Sequence, residues 1–288
     1  MHGSEREGIP ETPNPLGLEG IEFIEFSTNR PQSLALALER LGFRAIAHHR
    51  SREATLFRQA QMNLVIQADP EALGDAPRYE ITAVAFRVED AAQALARCER
   101  LGGWALTSRA QAMELVIPSI RGPAGARFFF VDRGREFSVF DIDFRPIPGT
   151  DPTVPAVAGT RFFGVVQYIA AGRYADWIHF YERLFGWKPI PDELRFGVLP
   201  RGKILASPGG QFFWQLIAPE GRSSEYPVSE ALHRVAFASS DVLASVAALR
   251  ARGVQFVETP SFPLHERGAL THALVGDLAF ELVHEPQG

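Results

Sequence analysis

The sequence predicts an α+β protein built from four βαβββ units, paired into two domains with curled, antiparallel-rich sheets. Three observations carry this expectation. A strand followed by a helix recurs four times along the 288 residues. The helices end on related motifs: L-E-R-L-G at 38–42, C-E-R-L-G at 98–102, Y-E-R-L-F-G at 181–186 and L-R-A-R-G at 249–253. A segment with four prolines, R-P-I-P-G-T-D-P-T-V-P-A-V-A-G-T (145–160), separates the second copy from the third. Self-similarity over so long a period fixes the architecture before any local assignment.

The first unit opens with G-I-E-F-I-E-F-S (20–27), the second with I-T-A-V-A-F-R-V (81–88) and the third with F-G-V-V-Q-Y-I-A (163–170). The fourth opens with L-H-R-V-A-F (232–237) and is the most legible. Ser239, Ser240 and Asp241 offer helix N-caps, and Gly253 ends the helix as a C-cap glycine does. Val242, Leu243, Val246 and Leu249 form its apolar stripe. A strand V-Q-F-V (254–257) follows, then a hairpin turning at Gly276 and Asp277. Each helix is expected to cover one face of its sheet with residues such as Val235 and Phe237, leaving a cup on the inner face. The organisation expected is a tail over 1–14, an N-terminal domain over 15–147, a linker over 148–160 and a C-terminal domain over 161–286.

Composition narrows the function classes. Apolar residues make up 46% and charged residues 22%, which suits a globule with a substantial core. The net charge of −5, with no basic run, gives nucleic-acid or membrane-surface binding no support. No apolar run reaches spanning length. The N-terminus lacks a signal-peptide core, so a cytoplasmic location is expected. Cys98 is the only cysteine; beside Leu95 and Leu101 it reads as a buried small hydrophobe.

The first half carries N-P-L-G-L-E-G-I-E-F-I-E-F (14–26), H-R-S-R-E-A-T-L-F-R-Q (49–59) and M-E-L-V-I-P-S-I-R-G-P-A-G (113–125). The second carries W-I-H-F-Y-E-R-L-F-G-W (177–187), S-P-G-G (207–210) and A-L-R-A-R-G-V-Q-F-V-E-T-P (248–260). On these motifs the chain resembles the vicinal oxygen chelate superfamily and, within it, the 4-hydroxyphenylpyruvate dioxygenase family. The resemblance implies two vicinal-oxygen-chelate domains. It also implies non-haem Fe(II) held in the C-terminal domain by two histidines and a glutamate, with a structural N-terminal domain.

Carried over by resemblance, the glutamate falls on Glu281, the first histidine on Tyr168 and the second on Arg234. Arginine is a cation without an acceptor and cannot ligate a metal. A one-residue slip would bring up His233 instead, but would turn Val235 and Phe237 into the cup. His272, placed across the hairpin from Glu281, is the candidate relocated ligand. A family asparagine that holds substrate falls on Ile217; Ser207 and Pro208 match.

The expected ligand cup holds Tyr168, Gln215, Arg234, Glu281 and His272, with Phe213 and Ser207 in its wall. Arg234 and Glu281 are expected to pair where the metal would lie, or Arg234 to bind an anion with Tyr168 and Gln215. The N-terminal cup positions would be Phe23, Glu25, Asn63, Val65, Ala83, Asp141 and Asp143, with no histidine. His48 and His49 read as surface or strand residues. The leading functional expectation is a protein with a degenerate iron site, no cofactor, and a small aromatic or 2-oxo-acid ligand. The alternatives are an active Fe(II) dioxygenase of the 4-hydroxyphenylpyruvate type and a homo-oligomeric scaffold using F-F-F (128–130) and F-F-W (212–214).

Overall fold

The computed structural model describes residues 13–69, 76–108, 110–111, 113–132, 138–191, 196–197, 202–218, 230–260 and 263–285. Of the expected tail, only Pro13 and Asn14 fall among them.

The first unit is β1 (Leu18–Thr28), α1 (Pro31–Arg40), β2 (Arg44–His49), β3 (Ala54–Gln59) and β4 (Met62–Ala68). The second is β5 (Tyr79–Val88), α2 (Ala91–Arg100), β6 (Ser119–Arg121) and β7 (Arg127–Asp132). A short helix α3 (Val139–Asp143) and β8 (Phe144–Pro146) close this half. The third unit is β9 (Arg161–Tyr168), α4 (Tyr174–Phe185), β10 (Lys188–Pro189), β11 (Lys203–Ala206) and β12 (Phe213–Ile217). The fourth is β13 (Ala231–Ser239), α5 (Val242–Ala251), β14 (Gly268–Leu270) and β15 (Phe280–His284).

The strands form two sheets, ordered β6-β7-β5-β1-β4-β3-β2-β8 and β10-β11-β12-β9-β13-β15-β14. In each sheet two units meet through their opening strands, which pair antiparallel: β1 with β5, and β9 with β13. The four-unit α+β architecture is therefore present, with one local difference. In the second and fourth units the strand expected after the helix shrinks to a single bridge, Ala105 to Ile120 and Phe256 to Thr271.

Local chemistry explains the helix ends. Pro31 starts α1, where its missing amide costs nothing. The Asp90 and Asp241 side chains accept the amides of Gln93 and Ala244 at 2.9 Å. Gly186 ends α4 in the left-handed region, φ 74°. On α5 the expected stripe is corrected at one position: Leu243 is 49% exposed, and Ser245 is buried in its place. The Ser245 hydroxyl lies 2.8 Å from that of Ser239, so a hydroxyl pair takes the position that apolar spacing assigned to leucine.

The helix-side faces of both sheets share one core. Phe86 of β5 packs against Phe128 and also against Phe185, Trp187 and Phe212 from the second half. Val235 and Phe237 lie in this core, as the alternation predicts. The phenylalanine runs fill it too: Phe128, Phe130, Phe212 and Trp214 are buried. Arg252, at the end of α5, donates to the carbonyls of Glu39 and Arg40 at the end of α1. The proline-rich segment is pinned down as well. Gln59 is buried; it donates to the Leu41 carbonyl and accepts from the Val157 amide and the Thr160 hydroxyl. The inner sheet faces hold two smaller clusters, one in each half. Among the described residues no helix is long and apolar enough to cross a membrane.

Candidate functional site

Sheet register decides what the C-terminal cup contains. Phe213, Gly164, Ala236 and Glu281 lie side by side on β12, β9, β13 and β15. Gln215, Val166 and Arg234 form the next row. Ile217, Tyr168 and Ala231 form the one beyond. Tyr168 is therefore four residues along β9 from the row of Glu281, about 13 Å at the rise of a strand. The placement of a ligand position at Tyr168 is corrected accordingly: the row of Glu281 meets β9 at Gly164. A side chain there would collide with the Phe213 carbonyl oxygen.

Arg234 is buried beside Tyr168 rather than paired with Glu281. Its Nη2 donates to the Tyr168 hydroxyl at 3.4 Å, and its guanidinium lies 5.8 Å from the Tyr168 ring centroid. Its Nε is buried without a hydrogen-bond partner. No ion pair joins it to Glu281 among the described residues, because the register sets the two a row apart. His233 occupies a β-bulge between Leu232 and Arg234. The bulge admits it without turning over Val235 or Phe237, and its ring stacks on Tyr168 at 4.0 Å. Burial, then the Arg234 charge, pushes the His233 imidazole down to about 4.

Four other expected positions are placed as follows. Leu270, not His272, stands opposite Glu281. The turn at Gly276 and Asp277 forms, with the Leu278 amide donating to the Val275 carbonyl. The ladder breaks before it, however, so His272 is exposed and its amide donates to Gln255. Ser207 is buried in a turn, where its hydroxyl accepts the Phe212 amide at 3.0 Å. Gln215 and Phe213 do line the same cavity as Glu281.

That cavity has about 10 Å³ of free volume, room for about one water. Phe163, Phe196 and Phe213 fill the rest, with ring centroids 4.6–5.3 Å apart. The Gly197 backbone lies against the Glu281 carboxylate, where a Cβ would not fit. A facial Fe(II) site needs two imidazoles beside one carboxylate. Here one carboxylate stands beside a glycine and an alanine, with a guanidinium in the next row, so the residues do not fit ferrous iron.

The N-terminal cup is the larger, with a volume of about 400 Å³. Phe23, Glu25, Val65 and Asp143 line it as expected. Asn63 does not; its amide donates to the Glu22 carbonyl and its oxygen accepts from Arg58. Asp141 sits in a capping box with Ser138 at the start of α3, because 139–143 is helical and the strand alternation fails there. His49 also lines the cup, contrary to the expectation of no histidine. A bulge in β2 at Ala45 and Ala47 decides that His49 faces inward while His48 is exposed.

On the sheet face of this cup the Thr82 hydroxyl donates to Glu25 at 3.0 Å, and burial raises the Glu25 carboxyl. Arg127 lies over Phe129, 5.6 Å from the ring centroid, and donates to Ser119 at 3.0 Å. Arg52 pairs with Glu114, whose carboxyl it holds at about 2. Asp143 accepts the Leu115 amide at 2.9 Å, and burial raises its carboxyl. Burial lowers the His49 imidazole.

Comparison with known proteins agrees with this architecture. Residues 12–145 match the family described as hydroxyphenylpyruvate dioxygenase, N-terminal. Residues 163–270 match the glyoxalase/bleomycin resistance protein/dioxygenase superfamily. The 4-hydroxyphenylpyruvate dioxygenase of Pseudomonas sp. (strain P.J. 874) is 30% identical over 272 residues, covering 88% of this chain and 75% of that protein. A 3-dehydroshikimate dehydratase of Pseudomonas aeruginosa is 30% identical over 86% of this chain, which spans 41% of that protein. A xylose isomerase-like TIM barrel/4-hydroxyphenylpyruvate dioxygenase fusion protein superposes on 97% of the chain with a TM-score of 0.75 at 24% identity. The chain spans about half of that protein, 51%. The shared fold, with 30% identity to a relative matched over three quarters of its length, shows that the chain belongs to the 4-hydroxyphenylpyruvate dioxygenase family.

Proposed function

We propose that this chain is a non-oxygenating member of its family, with a degenerate iron site, that binds a small aromatic or 2-oxo-acid ligand. One observation carries the reading: the row that holds Glu281 contains Gly164 and Ala236, while Arg234, in the next row, donates to Tyr168. Neither glycine nor alanine has a side-chain ligand for a metal, and arginine, a cation without an acceptor, has no lone pair to give. The ligand class follows from family membership, since the relative in Pseudomonas sp. is named for an aromatic 2-oxo acid. The domain division 15–147, 148–160 and 161–286 belongs to the same proposal.

Metal analysis and oxygen uptake test it. Protein loaded anaerobically with Fe(II), desalted and mixed with 4-hydroxyphenylpyruvate is expected to retain far less than one iron per chain and to consume no oxygen. Stoichiometric iron that is lost in Glu281→Gln, together with oxygen uptake, would overturn the proposal in favour of an active dioxygenase.

A further inference from the structure

We infer that the ligand site is the N-terminal cup rather than the C-terminal one, and that it takes a small aromatic carboxylate. This rests on the reading of the chain as a small-molecule binder. The N-terminal cup has about 400 Å³ of free volume, whereas the described cavity beside Glu281 has about 10 Å³. A benzene ring with one or two substituents fits the first and not the second.

The lining specifies the ligand. Phe23 presents its ring between those of Phe129 and Phe140, at centroid distances of 5.9 and 6.1 Å. Such spacing leaves aromatic faces and edges against the cavity, which suit a flat ring. Arg127 stands at one end of this wall, next to the Glu25–Thr82 pair; its register partner on β5 is Ala83, adjacent to Thr82. The Arg127 guanidinium lies 5.6 Å from the Phe129 ring centroid, its Nη1 donating to Ser119 and to the Thr107 carbonyl, and puts a positive charge beside the aromatic wall that attracts a carboxylate. Arg52, held by Glu114, adds a second positive charge near Glu25.

Among the described residues the lining carries three arginines (Arg52, Arg121, Arg127) and three carboxylates (Glu25, Glu114, Asp143). Glu25 accepts from Thr82 and Asp143 from the Leu115 amide, so both carboxylates are engaged within the wall.

Two probes of the same shape test this: 4-bromobenzoate, and the uncharged 4-bromobenzyl alcohol. Titration calorimetry is expected to show 1:1 binding of the acid and much weaker binding of the alcohol. Arg127→Gln is expected to weaken the acid by about tenfold or more, the worth of a charge-assisted hydrogen bond. Arg234→Gln in the other cup is expected to leave it unchanged. Bromine anomalous scattering from a soaked crystal is expected beside Phe23. Leu115→Trp, which fills the cup from its rim, replaces Arg127→Gln should that variant not fold.

Equal binding of acid and alcohol, loss of binding in Arg234→Gln but not in Arg127→Gln, or bromine in the C-terminal cup would overturn the inference. So would no binding of either probe, and that result leaves the iron experiment untouched. Conversely, iron uptake with oxygen consumption would remove the non-oxygenating reading without deciding where the bromine sits.

Discussion

Phe86 of the first sheet stacks on Phe212 of the second, with ring centroids 5.6 Å apart and planes at 22°. The contact joins the two halves at the centre of the shared core. Phe86→Ala is expected to cost about 3–5 kcal/mol. Thermal unfolding of the wild type should be a single transition, because neither half keeps a closed core without the other. Two separate calorimetric transitions, with Phe86→Ala moving only one, would contradict this.

Gln59 fastens the proline-rich segment to the first unit through the Val157 amide and the Thr160 hydroxyl. Gln59→Leu removes the acceptor of both groups and the donor to Leu41. It is expected to destabilise by about 1–3 kcal/mol, the cost of leaving buried polar groups unsatisfied. Limited proteolysis within 148–160 should accelerate in the variant; an unchanged rate and midpoint would argue against the fastening.

Gly164 decides whether an iron site can be rebuilt. Gly164→Ala is expected to destabilise by about 1–3 kcal/mol, since the Phe213 carbonyl occupies the space a Cβ needs. The double change Gly164→His with Arg234→His should then fail to bind iron tightly. Denaturant midpoints check the first statement and metal analysis the second. A neutral Gly164→Ala would show the row to be more open than the structure has it.

Glu114 supplies a pH dependence. Arg52 holds its carboxyl at about 2, below the ordinary 4.5. A carboxyl depressed on folding stabilises the fold above its unfolded value and loses that contribution as pH falls through its folded value. Between pH 4.5 and 2 the wild type should therefore lose stability faster than Glu114→Gln. Glu25 and Asp143, raised by burial, act with the opposite sign, so the informative quantity is the difference between variant and wild type. Parallel curves would remove the assignment.

Cys98 is fully buried and its thiol is pushed up to about 12 by burial. Thiolate is the reactive form, so the native protein is expected to resist a thiol reagent at pH 8 and to react once denatured. Rapid native labelling would show that α2 opens readily.

Much of this fold was legible because it depends on regular periods. The four openings, the Asp241 cap, the Gly253 stop and the Gly276 turn each follow from one residue type at one position. What the sequence hid were irregularities of pairing. The bulge at His233, the broken ladder beside His272 and the helical turn at 139–143 each change which residue faces inward, and no alternation pattern announces them. For the same reason Gly164 was missed. A glycine in a strand signals a close backbone approach, but only the register shows that Phe213 makes it. The openness of the N-terminal cup was hidden too, because it depends on where Leu106, Leu115 and Phe140 stand over the sheet.

The two cups belong to different sheets and to separate clusters, apart from the shared helix-side core. Neither forms a wall of the other, so one can be packed shut with phenylalanine while the other keeps its shape. A fold built from two such halves carries a spare: one cup can change without reshaping the other.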